Sequence, residues 1–318
     1  MSRLWKVFSG FKMKVFMNSA DENWILDRIH REWLKHTPLD GTASLNDCEL
    51  IWLMAPWKWR SIPPEFLVSK SVLCTIHHID PSKFAETQLA EFTARDQFVD
   101  AYHVPNKYTA NFISNLTSRP IHIISYWFDP DLWYPMEKID AREALSISED
   151  RFVIGSFQRD TEGGDLKSPK LAKGPDLFCD YVEKISDDKT LVLLGGWRRQ
   201  YIINRLNDAG IEYKYIEMAP FQVLRQMYAA CDLYIVSSRH EGGPQALLEA
   251  PAMKVPIIST RMGIAEDVIC ENCIIDIEED LYFPTKDDVE RNFENVQKFN
   301  INSHVEKYIS TLKGVIER

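Results

Sequence analysis

The stretch CDLYIVSSRHEGGPQALLE, residues 231–249, decides the fold class. Leu233 to Val236 reads as a buried strand and Glu241-Gly242-Gly243 as a tight turn. A helix then opens at Pro244, whose fixed φ and missing N–H suit a first helical position. A strand that delivers a glycine turn to a helix N-terminus favours an anion there, and glycines carry no Cβ to hold it away. Gly242, Gly243, Pro244 and Gln245 therefore form an expected diphosphate-binding turn. Glu249 lies about five residues into the helix, or ~7–8 Å along its axis. That is the span from a diphosphate to its ribose, so Glu249 is expected to accept from ribose hydroxyls while Glu241 faces the group beyond the phosphates. The same residues also suit an ordinary strand, turn and amphipathic helix with both glutamates solvated. Pro251, further on, should kink or end the helix early.

Working outward, the rest of the chain alternates strands with helices, the pattern of parallel, doubly wound α/β sheets, which bind ligands at the carboxyl ends of their strands. On the N-terminal side, Lys14–Met17 is a strand. Ser19 with Glu22 forms a capping box for a helix reaching His36, with Trp24, Ile25, Ile29 and Leu34 on its apolar face. Glu49–Ala55 is the next strand and delivers Pro56-Trp57-Lys58-Trp59-Arg60. These two tryptophans and two cations read either as a surface for an acceptor sugar or a membrane interface, or as a lid on the core. Val72–Ile76 ends in His77-His78-Ile79-Asp80. Adjacent histidines on a strand point to opposite faces, which argues against a metal site. Ala101–Val104 and Ile121–Ser125 complete the first set of strands. A linker with Pro130 and Pro135 and a charged helix through Leu145 mark a boundary, giving domains 1–131 and 132–300 and a terminal helical segment 301–318.

Arg151–Phe157 opens the second domain and leads into a long polar loop carrying Arg159, Lys167, Lys170 and Lys173. Loops of that length inside a compact domain are more often functional than decorative. Pro175–Ile185, Tyr201–Ala209 and Phe221–Ala230 read as helices, Thr190–Leu194 and Lys214–Glu217 as strands, and Lys286–Phe299 and Ser303–Glu317 as the last helices.

Length and composition bound the function. The chain has 318 residues, 45% of them hydrophobic, enough for about two cores. A net charge of −10 excludes the basic footprint of a nucleic-acid binder. Lys/Arg and Asp/Glu balance over residues 1–130, so the whole deficit lies beyond them. The neutral N-terminal part can therefore approach the inner face of an anionic membrane more easily than the rest. The absence of a long apolar run points to a cytoplasmic protein. Six cysteines without regular spacing make no disulfide scaffold. Cys270 and Cys273, beside Ile274 and Ile275, read as the edge of a buried strand rather than a redox or metal pair. An NAD dehydrogenase is disfavoured because no G-x-G-x-x-G follows the first strand.

The spacing from Glu241 to Glu249 resembles the E-x7-E signature of the retaining glycosyltransferases of family four. EAPAMKVPIISTRMGIAEDVI, residues 249–269, continues like that family's next segment, a strand and then a glycine turn at Gly263. It departs at Pro251 and Lys254, where the family has a non-proline residue and a glycine. The resemblance implies the GT-B architecture, two Rossmann-like domains facing across a cleft, with the terminal helix packing back on the first. TIHHID is similar to the segment whose histidine faces the donor sugar; His77 is the better match and His78 the alternative. Arg159 and the Lys173-Gly174 pair match the cations that neutralise the donor diphosphate, although the family's own arginine position is Ser156 here. The first turn, glycine-rich in the family, is Met17-Asn18-Ser19-Ala20.

What the resemblance implies is transfer of a sugar from a nucleotide-diphosphate sugar to a hydroxyl acceptor, a glycan, glycolipid or lipid-linked intermediate of polysaccharide biosynthesis. Transfer would retain the anomeric configuration and need no metal or other cofactor. His77, Lys173, Arg159 and Glu241 would serve the reaction, and Gly242 to Gln245 with Glu249 would hold the nucleotide. A nucleotide-sugar epimerase of the same architecture, or a non-catalytic nucleotide-sugar-binding subunit, are the competing expectations.

Overall fold

β1 (Val15–Met17), α1 (Ile25–His36), β2 (Leu50–Leu53), α2 (Pro64–Ser69), β3 (Ser71–Thr75), α3 (Glu86–Asp96), β4 (Ala101–Val104), α4 (Lys107–Ile113) and β5 (Ile121–Ile123) alternate along the first part of the chain. The computed structural model describes residues 13–21, 25–37, 39, 44–275 and 282–318. By its contacts the chain forms two compact units, residues 1–125 with 301–318, and residues 126–300. Glu22 of the expected capping box, and Trp24, lie outside the described residues.

In the first unit the five strands found among the described residues are parallel, in the order β1-β2-β3-β4-β5. Their period-2 pattern sends Ile51, Leu53, Val72, Cys74 and Tyr102 to one face, against Phe92 of α3 and Ala110 and Ile113 of α4. Neighbouring residues face the other way. There Trp52 Nε1 donates to Thr75 Oγ1 at 2.9 Å, and the His103 ring lies 3.0 Å from the same oxygen. Both faces are thus covered, as parallel sheets require.

The second unit continues with α5 (Lys138–Ala144), β6 (Phe152–Ser156), β7 (Thr161–Glu162), β8 (Ser168–Pro169), α6 (Pro175–Ile185), β9 (Thr190–Gly196), α7 (Gln200–Ala209), β10 (Tyr213–Glu217) and α8 (Phe221–Ala230). It ends with β11 (Leu233–Val236), α9 (Ala246–Ala252), β12 (Ile257–Thr260), α10 (Ala265–Val268), β13 (Ile274–Ile275) and α11 (Lys286–Val296). Its parallel sheet has the order β10-β9-β6-β11-β12-β13. The chain winds one way from β6 to β10 and the other way from β11 to β13. The reversal between β6 and β11 opens a crevice above the carboxyl ends of those two strands. Phe178, Val182, Ile202 and Leu206 from α6 and α7 cover one face. Phe157, Tyr228 and Tyr234 cluster on the other, with ring centroids 4.8–5.1 Å apart.

The organising stretch is corrected in one respect. The helix opens at Ala246, not at Pro244; Gln245 is its cap, and the Pro244 carbonyl accepts from Leu247 N at 3.0 Å. The helix is seven residues long, with Pro251 just before its end. The chain leaves the second unit at Asn300, and α12 (Ile301–Ile316) is part of the first. Its Tyr308 ring lies 5.7 Å from Trp52 and 6.0 Å from Trp33, and its hydroxyl donates to the Ser125 carbonyl at 3.0 Å.

Candidate functional site

Two loops meet at the switch point of the second sheet: residues 157–174 after β6 and residues 237–245 after β11. Their docking is specified by polar contacts. The Ala172 carbonyl accepts from Arg239 N at 2.9 Å and His240 N at 3.0 Å. The Arg239 guanidinium forks onto both carboxylate oxygens of Asp176 at 2.7 Å each, the bidentate geometry in which arginine is strongest. Gly174 makes the close approach possible. Its φ is +58°, and a Cβ there would lie 1.8 Å from the Ser237 carbonyl oxygen.

This docking carries Lys173 to Glu241. The ammonium and Glu241 Oε1 form an ion pair, with side chains 17% and 9% exposed. The Lys173 carbonyl is held by Gln158 Nε2 at 3.1 Å. Burial first, and then the neighbouring Lys170, push the Lys173 pKa down from 10.5 to about 7. An ammonium this far desolvated gains much from an anionic partner.

Arg159, from the same loop, donates to the Thr161 carbonyl at 3.1 Å and lies 4.7 Å over the ring of Trp197. Burial and the nearby Arg198 lower its pKa from the ordinary arginine value. Arg198 stacks on the same ring at 5.6 Å. Trp197 follows β9 directly and is 38% exposed, so two cations flank a partly open indole at the sheet's carboxyl edge.

On the other side of the crevice, the 241–245 turn is fixed by Gly263, whose φ is +58° and whose Cβ would come within 2.9 Å of the Gly242 carbonyl. Glu249 is buried, 3% exposed, and its Oε2 accepts from the Tyr228 hydroxyl at 2.7 Å.

Sequence reasoning missed the group that knits this edge together. Arg199 is wholly buried. Its Nε donates to Asp160 at 2.5 Å, while its terminal nitrogens reach the carbonyls of Ser156 and Gly195 and the Ser156 hydroxyl. A guanidinium therefore does sit beside Ser156, but it comes from the β9–α7 turn and is spent on protein acceptors. The signal was Trp197-Arg198-Arg199 directly after a strand-end glycine pair. The short hairpin of β7 with β8 was also missed; it hangs from this edge, since the Asp160 carbonyl accepts from Lys170 N at 2.7 Å.

At the carboxyl edge of the first unit's sheet, His77 is half-buried and its Nε2 lies 2.6 Å from the Met54 carbonyl. A carbonyl only accepts, so Nε2 carries the proton. Burial depresses the His77 pKa to about 4, leaving a neutral imidazole at physiological pH. His78 is exposed. The two loop tryptophans separate: Trp59 is buried with Nε1 3.3 Å from Glu91, whereas Trp57 is 52% exposed.

A family model described as glycosyl transferases group 1 matches residues 164–298. The match takes in Lys173 and the whole 241–249 stretch and leaves Arg159 and His77 outside. No curated protein sequence matches the chain. Among solved structures, Anabaena Alr3699/HepE in complex with UDP and glucose has a TM-score of 0.72 at 15% identity, covering 96% of this chain and 100% of that one. The fold is GT-B. Sucrose-phosphate synthase from Thermosynechococcus elongatus has a TM-score of 0.68 at 15% identity, over 85% of this chain and 74% of that one. A mutant of S. aureus TarM, in complex with fondaparinux, alpha-GlcNAc-glycerol and UDP, has 0.60 at 12%, over 92% and 59%.

Proposed function

We propose that this protein is a glycosyltransferase that moves a sugar from a nucleotide-diphosphate sugar to a hydroxyl acceptor. The observation that carries the reading is Lys173 held against Glu241 at the switch point of the second sheet, inside the segment that matches the glycosyltransferase model. The departing group in such a transfer is a diphosphate, and the reaction is fast only where preorganised charge awaits it. Lys173 supplies that charge from a desolvated position and Arg159 adds to it, which is the work a metal ion would otherwise do. The backbone amides of Gly242, Gly243 and Gln245 would add to the same stabilisation.

In this scheme Glu241 exchanges Lys173 for the donor sugar's hydroxyls and Glu249 receives the ribose, while His77, in the first unit, is a neutral imidazole. No side chain is assigned as a nucleophile. The leaving phosphate oxygen takes the acceptor's proton as the new bond forms on the same face, so the anomeric configuration is retained.

UDP-glucose is the first donor to test, because the Anabaena protein binds UDP and glucose. A ligand that binds only the folded state raises its melting temperature. A panel of nucleotide sugars should include one that does so and is then consumed when a hydroxyl acceptor is added. Conversion of that donor to an epimer without acceptor, or binding with no turnover on any acceptor, would overturn the reading.

A further inference from the structure

We propose that Trp57 is a stacking platform for a pyranose ring of the acceptor, so that the substrate class is a saccharide rather than a lipid surface or a small alcohol; this deepens the transfer reading and rests on it. Trp57 lies in the 3-10 turn Pro56–Ser61 that follows β2, at the sheet edge where parallel α/β units bind ligands. The turn is rigidly built. Asn18 holds both backbone groups of Ala55, donating to its carbonyl at 2.8 Å and accepting from its N–H at 2.9 Å. Lys58 N donates to the Ala55 carbonyl and Ser61 Oγ to the Lys58 carbonyl. Trp59 is sunk into the core on one side, which leaves the indole of Trp57 half out of water on the other.

A single exposed aromatic is ordinary on a protein surface. Its neighbourhood sets this one apart. The His77 ring lies 6.2 Å away, tilted by 55°, so the exposed indole stands beside an imidazole. Charge decides what fits there. A membrane-seeking loop needs cations left over for anionic headgroups, but Lys58 is paired with Asp21 and Arg60 with Glu91, both at 2.8 Å. What remains is an aromatic face in an electrically balanced rim. A pyranose matches it, with an apolar C–H face for the indole and hydroxyls for the polar rim.

The test is saturation-transfer NMR in the presence of UDP, with maltotriose, methyl α-glucopyranoside and glycerol as probes, on the wild-type protein and on Trp57→Ala and Trp57→Phe. Phosphatidylglycerol vesicles form a parallel arm, and melting with UDP-glucose a separate one. Maltotriose should bind the wild type and weaken about tenfold in Trp57→Ala, the loss of one aromatic contact. Trp57→Phe should retain most of the affinity, and glycerol should not distinguish the variants. Equal maltotriose affinity in Trp57→Ala overturns the proposal. So does a wild type that is stabilised by UDP-glucose but binds no saccharide, or vesicle binding that disappears in Trp57→Ala. If UDP-glucose fails to stabilise the protein while maltotriose binding still depends on Trp57, the transfer reading falls and the platform stands.

Discussion

Lys173 and Glu241 stand 68 residues apart in sequence and meet as an ion pair with little access to water. The pair exists because Gly174 lets the loop after β6 touch the loop after β11. Lys173→Ala should therefore lower transfer by about 10²–10³-fold, the scale seen when one preorganised charge is removed from a departing oxyanion. Stability should fall as well, by up to about 3–5 kcal/mol, because the deletion leaves the Glu241 carboxylate without its counterion. Turnover of the accepted donor, compared with melting of the unliganded variant, is the measurement; equal activity would remove Lys173 from the mechanism.

A pH dependence follows from the same residue. Burial lowers the folded pKa of Lys173 from 10.5 to about 7. Between those values the unfolded chain holds a proton that the folded one has released, so this group's contribution to stability rises with pH across that window. A bound diphosphate acts in the opposite direction by favouring the ammonium. Binding of UDP at about pH 8 should thus take up a proton, and affinity should fall as pH rises through about 7. Titration calorimetry in Hepes and in Tris reads the uptake directly. An enthalpy independent of buffer, or an uptake that persists in Lys173→Met, would contradict the assignment.

Much of the second unit could be read from sequence because its elements are locally encoded. α6 and α8 have the bounds that their periodicity and flanking residues predict, Pro175–Ile185 and Phe221–Ala230. The turn at Gly263, expected from the family resemblance, is present, with a positive φ that favours glycine. The opening of α9 was not legible: Pro244 has the right chemistry for a first helical position, yet the helix begins at Ala246. Nor could any local pattern pair Arg199 with Asp160 or Lys173 with Glu241, because those contacts are made by tertiary docking of separate loops. Trp57 and Trp59 show the same limit, two identical side chains two positions apart that only the fold sends to opposite environments.

Gly174→Ala should be more damaging than its size suggests. The new methyl carbon would fall 1.8 Å from the Ser237 carbonyl at φ +58°, so the loop must move. Gly210→Ala is the control, with φ +68° and no neighbour within 4 Å. Gly210→Ala should cost about 1–2 kcal/mol, the strain of a left-handed non-glycine residue. Gly174→Ala should cost more than that and also weaken UDP binding by displacing Lys173. Urea unfolding of the two variants side by side measures the difference; equal costs would mean that the contact with Ser237 is easily relaxed.

The Arg199–Asp160 pair is the last test, because it asks what holds the cation loop in place. Burial alone raises the Asp160 pKa, and the Arg199 guanidinium opposes that rise. One planar fork also satisfies the carbonyls that end β6 and β9. Arg199→Met should lower stability by about 3–5 kcal/mol, since it leaves a buried carboxylate without its counterion. Arg199→Lys should recover part of the stability but not the geometry, as an ammonium cannot span all four acceptors. Arg159 immediately precedes Asp160, so the lysine variant should bind UDP more weakly than its melting temperature alone would suggest. If Arg199→Lys keeps wild-type UDP affinity, the pair stabilises the fold without positioning Arg159, and the diphosphate charge then rests on Lys173.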